Sequence, residues 1–241
     1  MTPTRTALVT GANRGMGLEA CRQLARRGYH VIVKARDLAG AEAACAQVEG
    51  AMVPAVVDVA SDGSVAALSE RIGAELGQVD VLINNAGAMF ASERSPSIPS
   101  SLFHTSLETV RLSFETNTLG ALRMCKALIP GMRERGYGRV VNVSSTWGSL
   151  TVMEKGWPAY AVSKAALNAV TRLFASEVDG ENVKVNSVCP GWVRTDMGGP
   201  DGDRIRNGRP IAVAGDTRRD RPRPACRGHA SMLVVAYWPA G

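Results

Sequence analysis

Short apolar runs alternate along the chain with longer segments whose apolar residues recur at helical spacing. The runs have the length of β-strands, and each is followed by a patterned or polar stretch. This alternation is typical of βαβ units that build a mainly parallel sheet covered by helices on both faces, so it predicts an α/β fold. The predicted strands are residues 6–10, 29–34, 52–57, 79–83, 139–143 and 183–189.

Helices are predicted between these strands from the three- and four-residue spacing of apolar positions. Ser61 or Asp62 can cap the third helix, and Gly28 follows the first as a C-terminal glycine should. Pro130 and Gly131 are expected to loosen the end of the fourth, and the Ser- and Pro-rich residues 88–101 to form a loop. The predicted helices are one that ends near residue 27 and those at 39–48, 62–76, 107–135 and 160–178.

The glycine-rich sequence TGANRGMG, at residues 10–17, lies where the first apolar run gives way to a helix. Gly11 lets the chain leave the strand in a tight turn, while Gly15 and Gly17 let backbone and phosphate approach each other without a Cβ between them. The helix N-terminus then faces the anion. The segment predicts a site for a dinucleotide pyrophosphate, although a glycine triplet without these flanks would equally indicate a flexible turn.

A tyrosine and a lysine, Tyr160 and Lys164, lie four residues apart on one face of the last predicted helix. A fixed cation favours the phenolate, so we expect Lys164 to lower the pKa of Tyr160 and make its hydroxyl a proton donor or acceptor near neutral pH. On its own, this pair would more often be two surface side chains.

Taken together, these features resemble the classical branch of the short-chain dehydrogenase/reductase family. The resemblance covers residues 6 to about 200, and the sequence CPGWVRTDM at 189–197 is similar to that of the carbonyl reductase group. It implies a single domain with a Rossmann-type doubly wound parallel sheet. It rests on the glycine motif, NNAG at 84–87, Asn117, NVSS at 142–145, Tyr160 with Lys164, and Pro190-Gly191.

The resemblance implies a catalytic set of Asn117, Ser145, Tyr160 and Lys164. Tyr160 would be the general acid, Ser145 would polarise the substrate carbonyl, Lys164 would hold the nicotinamide ribose and tune Tyr160, and Asn117 would support a proton-relay water. Ser144 is the competing serine, and Asn117 could instead be only a polar interruption of its helix. The substrate-binding residues would be Ser145, Tyr160 and Trp192, with Trp192 as a pocket wall or as ordinary core.

By the same resemblance, Thr195 and the backbone around Val193 would hold the carboxamide, and Asp58-Val59 would lie beside adenine. The cofactor-binding residues would be Gly11, Asn13, Arg14, Gly15, Met16, Gly17, Arg36, Asp58, Val59, Asn85, Ala86, Gly87, Tyr160, Lys164, Pro190, Gly191, Val193 and Thr195.

Cofactor choice follows from charge. An acidic residue about 20 positions beyond the glycine motif would bind a free ribose 2′-OH and repel a 2′-phosphate. Here neutral Ala35 is followed by Arg36, and Arg14 lies in the glycine loop. Two guanidinium groups near one ribose favour the phosphate, which predicts NADP(H) over NAD(H). Asp37 and a fully solvated Arg36 are the counter-argument.

Composition narrows the class. With 241 residues, one sizeable domain is expected. The net charge of +6 belongs largely to residues 201–241, which hold eight Arg and four Asp, so it does not indicate nucleic-acid binding. The scattered cysteines predict reduced thiols, and the three histidines complete no metal site. No apolar run reaches membrane-spanning length, so we expect a cytoplasmic protein without a membrane partner. Classical family members are often dimers or tetramers, and that analogy would make the chain a homo-oligomer.

The last 41 residues, 201–241, depart from the family pattern. Residues 201–230 alternate Arg, Gly, Pro and Asp and are predicted to be loop or disordered, and residues 232–238 form a seventh strand or an exposed apolar run. The expected function is NADPH-dependent reduction of an aldehyde, ketone or quinone. The alternative is an NADP(H)-binding protein with little or no turnover, since the tail replaces the usual substrate-covering helix. A sugar-nucleotide epimerase fits the glycine spacing less well.

Overall fold

The computed structural model describes residues 4–90, 101–151 and 153–202. A sheet of six parallel strands forms its centre, in the order β3-β2-β1-β4-β5-β6. This is the doubly wound arrangement expected from the alternating pattern, and predicted and observed strand ends agree within about two residues. The strands are β1 (Thr6–Val9), β2 (His30–Ala35), β3 (Met52–Val56), β4 (Val81–Asn84), β5 (Gly138–Val143) and β6 (Val183–Val188).

Helices connect the strands. Ser61 caps α3, since its side chain accepts a hydrogen bond from the Ser64 N–H at 3.2 Å, and Gly28 has the positive φ of +81° expected after a helix end. The predicted seventh strand at residues 232–238 lies outside the described residues, as does most of the tail. The helices are α1 (Gly15–Arg26), α2 (Leu38–Cys45), α3 (Asp62–Arg71, extended by a π-helical turn over Ile72–Leu76), α4 (Leu107–Phe114), α5 (Gly120–Glu134) and α6 (Pro158–Glu177).

The helix predicted at residues 107–135 is continuous but not uniform. A π-helical turn, Glu115–Leu119, joins α4 to α5 and contains Asn117. The expected loosening at Pro130 and Gly131 is wrong, because α5 runs through both to Glu134. Buried side chains before and after the proline hold that last turn on the sheet, which offsets the lost backbone hydrogen bond.

Each face of the sheet has its own apolar core. One cluster joins the sheet to α3 and α5, and the other joins it to α1 and α2. Lys34, in β2, is an exception to the apolar pattern. Side-chain alternation puts it on the same face as Ile32, where it is fully buried, and its Nζ has no hydrogen-bond partner among the described residues.

Two neighbouring strands are also joined through buried amide side chains. Asn84 of β4 and Asn142 of β5 are register partners, and the Asn84 Nδ2 donates to the Asn142 Oδ1 at 2.8 Å. The Asn142 Nδ2 donates in turn to the Thr171 Oγ1 at 2.9 Å, and that hydroxyl donates to the Leu167 carbonyl at 2.7 Å. This polar line connects β4, β5 and α6 through the core.

Candidate active site

The glycine loop lies at the carboxyl end of β1, where the strand order changes direction between β1 and β4. Such a switch point is where ligands bind in open α/β sheets. Gly11 has a φ of +60°, as expected for the tight turn. Gly17 has another role than the one predicted. A Cβ there would lie 2.4 Å from the Gly11 carbonyl oxygen, so this position lacks a side chain to let α1 pack on its own loop.

The segment after β4 fastens this loop. The Asn85 Nδ2 donates to the carbonyls of Thr10 and Gly11, at 3.0 and 2.9 Å. The Thr10 Oγ1 accepts from the N–H groups of Asn85 and Ala86, each at 3.0 Å. Asn85 and Ala86, predicted to bind cofactor, thus hold the glycine loop in shape.

Tyr160, Lys164 and Ser145 meet at the same edge of the sheet. Tyr160 lies in the first turn of α6, and Ser145 follows β5 directly. The two side chains share a hydrogen bond that acts on the titration of Tyr160. The Lys164 Nζ lies 5.7 Å from the centroid of the Tyr160 ring and donates to the Val143 carbonyl at 2.7 Å. All three candidate side chains therefore converge on one point.

Burial dominates the titration of this pair. It raises the pKa of Tyr160 to about 12, against the smaller lowering effect of the Ser145 hydrogen bond. The expectation that the pKa of Tyr160 is lowered is therefore wrong. The pKa of Lys164 itself is lowered to about 8, because burial penalises the ammonium more than the nearby Cys189 thiol favours it.

The two adjacent serines have different environments. Ser144 is buried, and its hydroxyl donates to the Lys164 carbonyl at 3.4 Å. The Ser145 Oγ accepts from the Trp147 N–H at 3.3 Å, at the start of the 3₁₀ turn Thr146–Gly148, and reaches Tyr160. Of the two, Ser145 has the hydroxyl beside the tyrosine.

Asn117 is buried in its π-helical turn and uses its whole amide group. Its Oδ1 accepts from the Ala88 N–H at 2.7 Å, and its Nδ2 donates to the Ala88 carbonyl at 2.9 Å and to the Ser163 Oγ at 3.0 Å. The Ser163 hydroxyl donates to the Tyr160 carbonyl at 2.7 Å. Asn117 thus ties the segment after β4 to the first turn of α6. A Cβ on Gly87 would lie 3.2 Å from the Asn117 Oδ1 and 3.5 Å from the Lys164 Nζ, so Gly87 lies beside both side chains.

The residues predicted to bind the adenosine and the phosphates differ in exposure and in the contacts they make. Arg36 is exposed, directly after β2. Asp37 caps α2 by accepting from the Gly40 N–H at 2.7 Å. Asp58 is exposed and accepts from the Ala60 N–H at 3.0 Å, while Val59 is buried against the α3 and α5 core. Asn13 is exposed in the glycine loop, and Met16 is partly buried.

The segment after β6 folds back towards the glycine loop. Gly191 has a φ of +76° and follows Pro190, which is partly exposed. The Thr195 Oγ1 donates to the Val193 carbonyl at 3.4 Å. Trp192 is 61% exposed, so it is not ordinary core, and its Nε1 donates to the Gly198 carbonyl.

Three further residues belong to this neighbourhood. Trp147 and Trp157 make an edge-on ring contact, with centroids 5.0 Å apart, next to Ser145 and the start of α6. Ser163, which lies between Tyr160 and Lys164, was not predicted to be a site residue. Its position three residues after Tyr160 was the available signal, because side chains three apart lie on one helix face. Nothing in the sequence paired the two tryptophans.

Two absences concern the described residues. They contain no group of three or more His, Cys, Asp and Glu side chains that could hold a metal ion. Among the helices of residues 4–90, 101–151 and 153–202, none has the length and apolar character needed to cross a bilayer.

The chain is similar to known proteins in sequence and in fold. The family model for short chain dehydrogenase matches residues 5–205. The short-chain dehydrogenase anuI of Penicillium roqueforti is 33% identical over 226 residues, covering 86% of each chain. NADPH carbonyl reductase 1 of Sus scrofa is 33% identical and covers 82% of this chain and 81% of its own. The 3-oxoacyl-acyl-carrier-protein reductase FabG of Pseudomonas aeruginosa is 37% identical, with coverages of 80% and 75%.

Among solved structures, a short-chain dehydrogenase from Streptomyces avermitilis superposes with a TM-score of 0.71 at 33% identity. The match covers 84% of this chain and 70% of that one. Sequence and fold agree, and the chain belongs to the short-chain dehydrogenase family.

Proposed function

We propose that this oxidoreductase reduces an aldehyde, ketone or quinone to the alcohol, with NADPH as the hydride donor. The observation that carries the proposal is the meeting of Tyr160, Ser145 and Lys164 at the carboxyl edge of the sheet, beside the glycine loop. The names of the carbonyl reductase and 3-oxoacyl reductase relatives support a carbonyl substrate.

Tyr160 acts as the general acid in this proposal. Its raised pKa keeps the phenol protonated at neutral pH, which is the state that a proton donor requires. When the carbonyl carbon receives a hydride, the carbonyl oxygen becomes an alkoxide, a much stronger base than phenolate, so proton transfer from Tyr160 to that oxygen is downhill. The Ser145 hydroxyl, beside that phenol, donates a hydrogen bond to the same carbonyl and stabilises the developing charge.

Lys164 and Asn117 support the acid in different ways. Lys164 contributes a buried positive charge that stabilises the phenolate left after proton transfer, and it binds the nicotinamide ribose. Its Nζ is oriented by the Val143 carbonyl. Because the Asn117 amide is fully engaged by Ala88 and Ser163, we assign it to positioning α6 against the segment after β4. From there it supports a proton-relay water through the backbone that it holds in place.

The residues of the glycine loop fit a dinucleotide. Arg14, the residue before α1, does not cap the helix with its side chain, so among the described residues no cap satisfies the N–H groups of the first turn. These donors and the positive end of the helix dipole suit a pyrophosphate. A bound nicotinamide nucleotide would supply the hydride for the reduction. Gly11, Gly15 and Met16 would contact the phosphates, and Asn13 would border them.

The remaining proposed contacts follow the cofactor along the strand ends. Asp58 and Val59 lie after β3 for the adenine, and Gly87 lies after β4 beside Lys164. Pro190, Gly191, Val193 and Thr195 lie after β6 for the carboxamide, with exposed Trp192 as a wall of the substrate pocket.

Arg36 is expected to select NADPH. Replacing it with alanine should weaken NADPH about tenfold and NADH by less than twofold, since only NADPH carries a 2′-phosphate for the guanidinium to bind. Dissociation constants from nicotinamide fluorescence give both values. Arg26→Ala removes an exposed arginine from the far end of α1 and is the matched control. Equal weakening of both cofactors would assign Arg36 to structure and remove the main support for NADPH.

The proposed activity can be tested on the full chain. Purified protein is mixed with NADPH and a panel of aldehydes, ketones, quinones and 3-ketoacyl thioesters, and the loss of nicotinamide absorbance is followed. Turnover of any member supports the reductase. Tight NADPH binding without turnover across the panel selects the alternative of a cofactor-binding protein, and absence of binding contradicts both.

A further inference from the structure

The segment 190–202, which follows β6, lies against the glycine loop. A Cβ on Gly15 would be 3.4 Å from the Thr195 Cγ2. Arg14 precedes Gly15 and Asp196 follows Thr195, and the Arg14 Nη1 forms an ion pair with the Asp196 Oδ2 at 2.8 Å. The segment therefore reaches from the end of β6 to the start of α1, across the edge of the sheet where the cofactor is proposed to bind.

Hydrogen bonds within the segment make it a compact unit. The Gly198 N–H donates to the Thr195 Oγ1 at 3.0 Å, and the Gly199 N–H donates to the Thr195 carbonyl at 2.8 Å. The Trp192 Nε1 donates to the Gly198 carbonyl at 2.7 Å. Because Thr195 is held in this way, the side chain next to it, Asp196, is presented to Arg14 by a folded turn.

The ion pair occupies a position suited to an anion. Arg14 directly precedes the uncapped N-terminus of α1, so its guanidinium adds to the positive end of that helix. Asp196 supplies a carboxylate to this position. The two side chains are 69% and 72% exposed, so water screens the pair and a phosphate can displace the carboxylate at small cost.

We propose that Asp196 is a positioning residue: its carboxylate pairs with Arg14 where a cofactor phosphate would otherwise bind. It thereby lowers the affinity of the glycine loop for the dinucleotide. This inference rests on the proposed function, since it requires that the loop bind NADP(H). Phosphate binding must break or rearrange the Arg14–Asp196 pair, and the remaining carboxylate then repels the phosphate. Asp196 thus opposes the cofactor contact that Arg14 provides.

The test is cofactor binding by Asp196→Asn, measured without substrate by nicotinamide fluorescence. We expect NADPH to bind about two- to fivefold more tightly than to the wild type at low salt, the scale of one exposed ion pair. The difference should shrink towards unity in 0.5 M NaCl, because screening weakens both the pair and the repulsion. A gain restricted to NADPH assigns Arg14 to the 2′-phosphate, and an equal gain for NADH assigns it to the pyrophosphate. Either result supports the proposal.

Two controls distinguish the effect of the Arg14–Asp196 ion pair from the effect of removing a negative charge from the segment. Asp201→Asn removes the same charge from an exposed side chain of the same segment and should change NADPH affinity less. In an Arg14→Ala background, Asp196→Asn should change NADPH affinity less than it does in the wild type, since only the repulsion between the carboxylate and the phosphate then remains. Weaker or unchanged binding by Asp196→Asn in a protein that binds NADPH would overturn this inference alone. A wild type that binds neither cofactor would overturn the proposed function as well.

Discussion

Tyr160→Phe is expected to lower the rate of carbonyl reduction at least about a hundredfold, the usual scale for losing a general acid. The variant keeps the ring that packs in the first turn of α6 and removes only the hydroxyl that Ser145 contacts. The affinity for NADPH should change little, because the glycine loop is held by Asn85 and Thr10, which this substitution does not touch.

The measurement is the maximal reduction rate beside the NADPH dissociation constant of the same preparation. Tyr137→Phe is the matched control. Tyr137 precedes β5 at the opposite edge of the sheet, and its ring is covered by the guanidinium of Arg5 at 3.9 Å. A Tyr160→Phe protein that turns over at nearly the wild-type rate would remove Tyr160 from the proposed mechanism.

Lys34→Met is expected to stabilise the fold by about 2 to 4 kcal/mol at pH 6. Lys34 is fully buried in β2 without a hydrogen-bond partner among the described residues, and burial, reinforced by the Arg71 charge, lowers its pKa to about 7. Below pH 7 the lysine is charged in both folded and unfolded chains, so the folded state bears the full cost of a buried ammonium. Methionine keeps a similar length and removes that charge.

The effect should depend on pH with a definite sign. Between pH 7 and the unfolded value of 10.5, the folded state loses its proton while the unfolded chain keeps it, so wild-type stability rises with pH through this group. The advantage of Lys34→Met should therefore shrink by about 2 to 3 kcal/mol between pH 6 and pH 9. Urea unfolding at pH 6 and pH 9 gives the difference in the free energy of unfolding between the variant and the wild type. The control is Lys184→Met, which replaces an exposed lysine of β6. An advantage independent of pH would mean that Lys34 is not a buried charge in solution.

Local features were predictable where local chemistry decides them. The alternation of apolar and polar segments predicted all six strands of the described sheet, and the Ser61 cap follows from its own hydroxyl and the Ser64 N–H. The position of the glycine loop at a strand-to-helix turn was likewise correct. These features depend on residues within a few positions of one another.

Features set by distant contacts were not predictable in this way. Gly17 was expected to admit phosphate, yet the space that it leaves is filled by the Gly11 carbonyl and Asn85. Lys34 is the last residue of the predicted strand 29–34, and only the packing of the sheet against its helices shows that its side chain is buried. The pKa of Tyr160 depends on how completely α6 is covered, which the spacing of Tyr160 and Lys164 does not report.

The buried line of Asn84, Asn142 and Thr171 has a consequence for folding fidelity. A shift of β4 along β5 by one residue would turn these amides to opposite faces of the sheet. Both would then be buried in apolar surroundings without hydrogen-bond partners. Misaligned intermediates are therefore penalised at the centre of the sheet rather than at its rim. Asn142 precedes Ser145 by only three residues, and Asn84 precedes Gly87 by the same interval. The Asn84–Asn142 hydrogen bond, which disfavours a wrong register, thus also fixes the distance between Ser145 and Gly87.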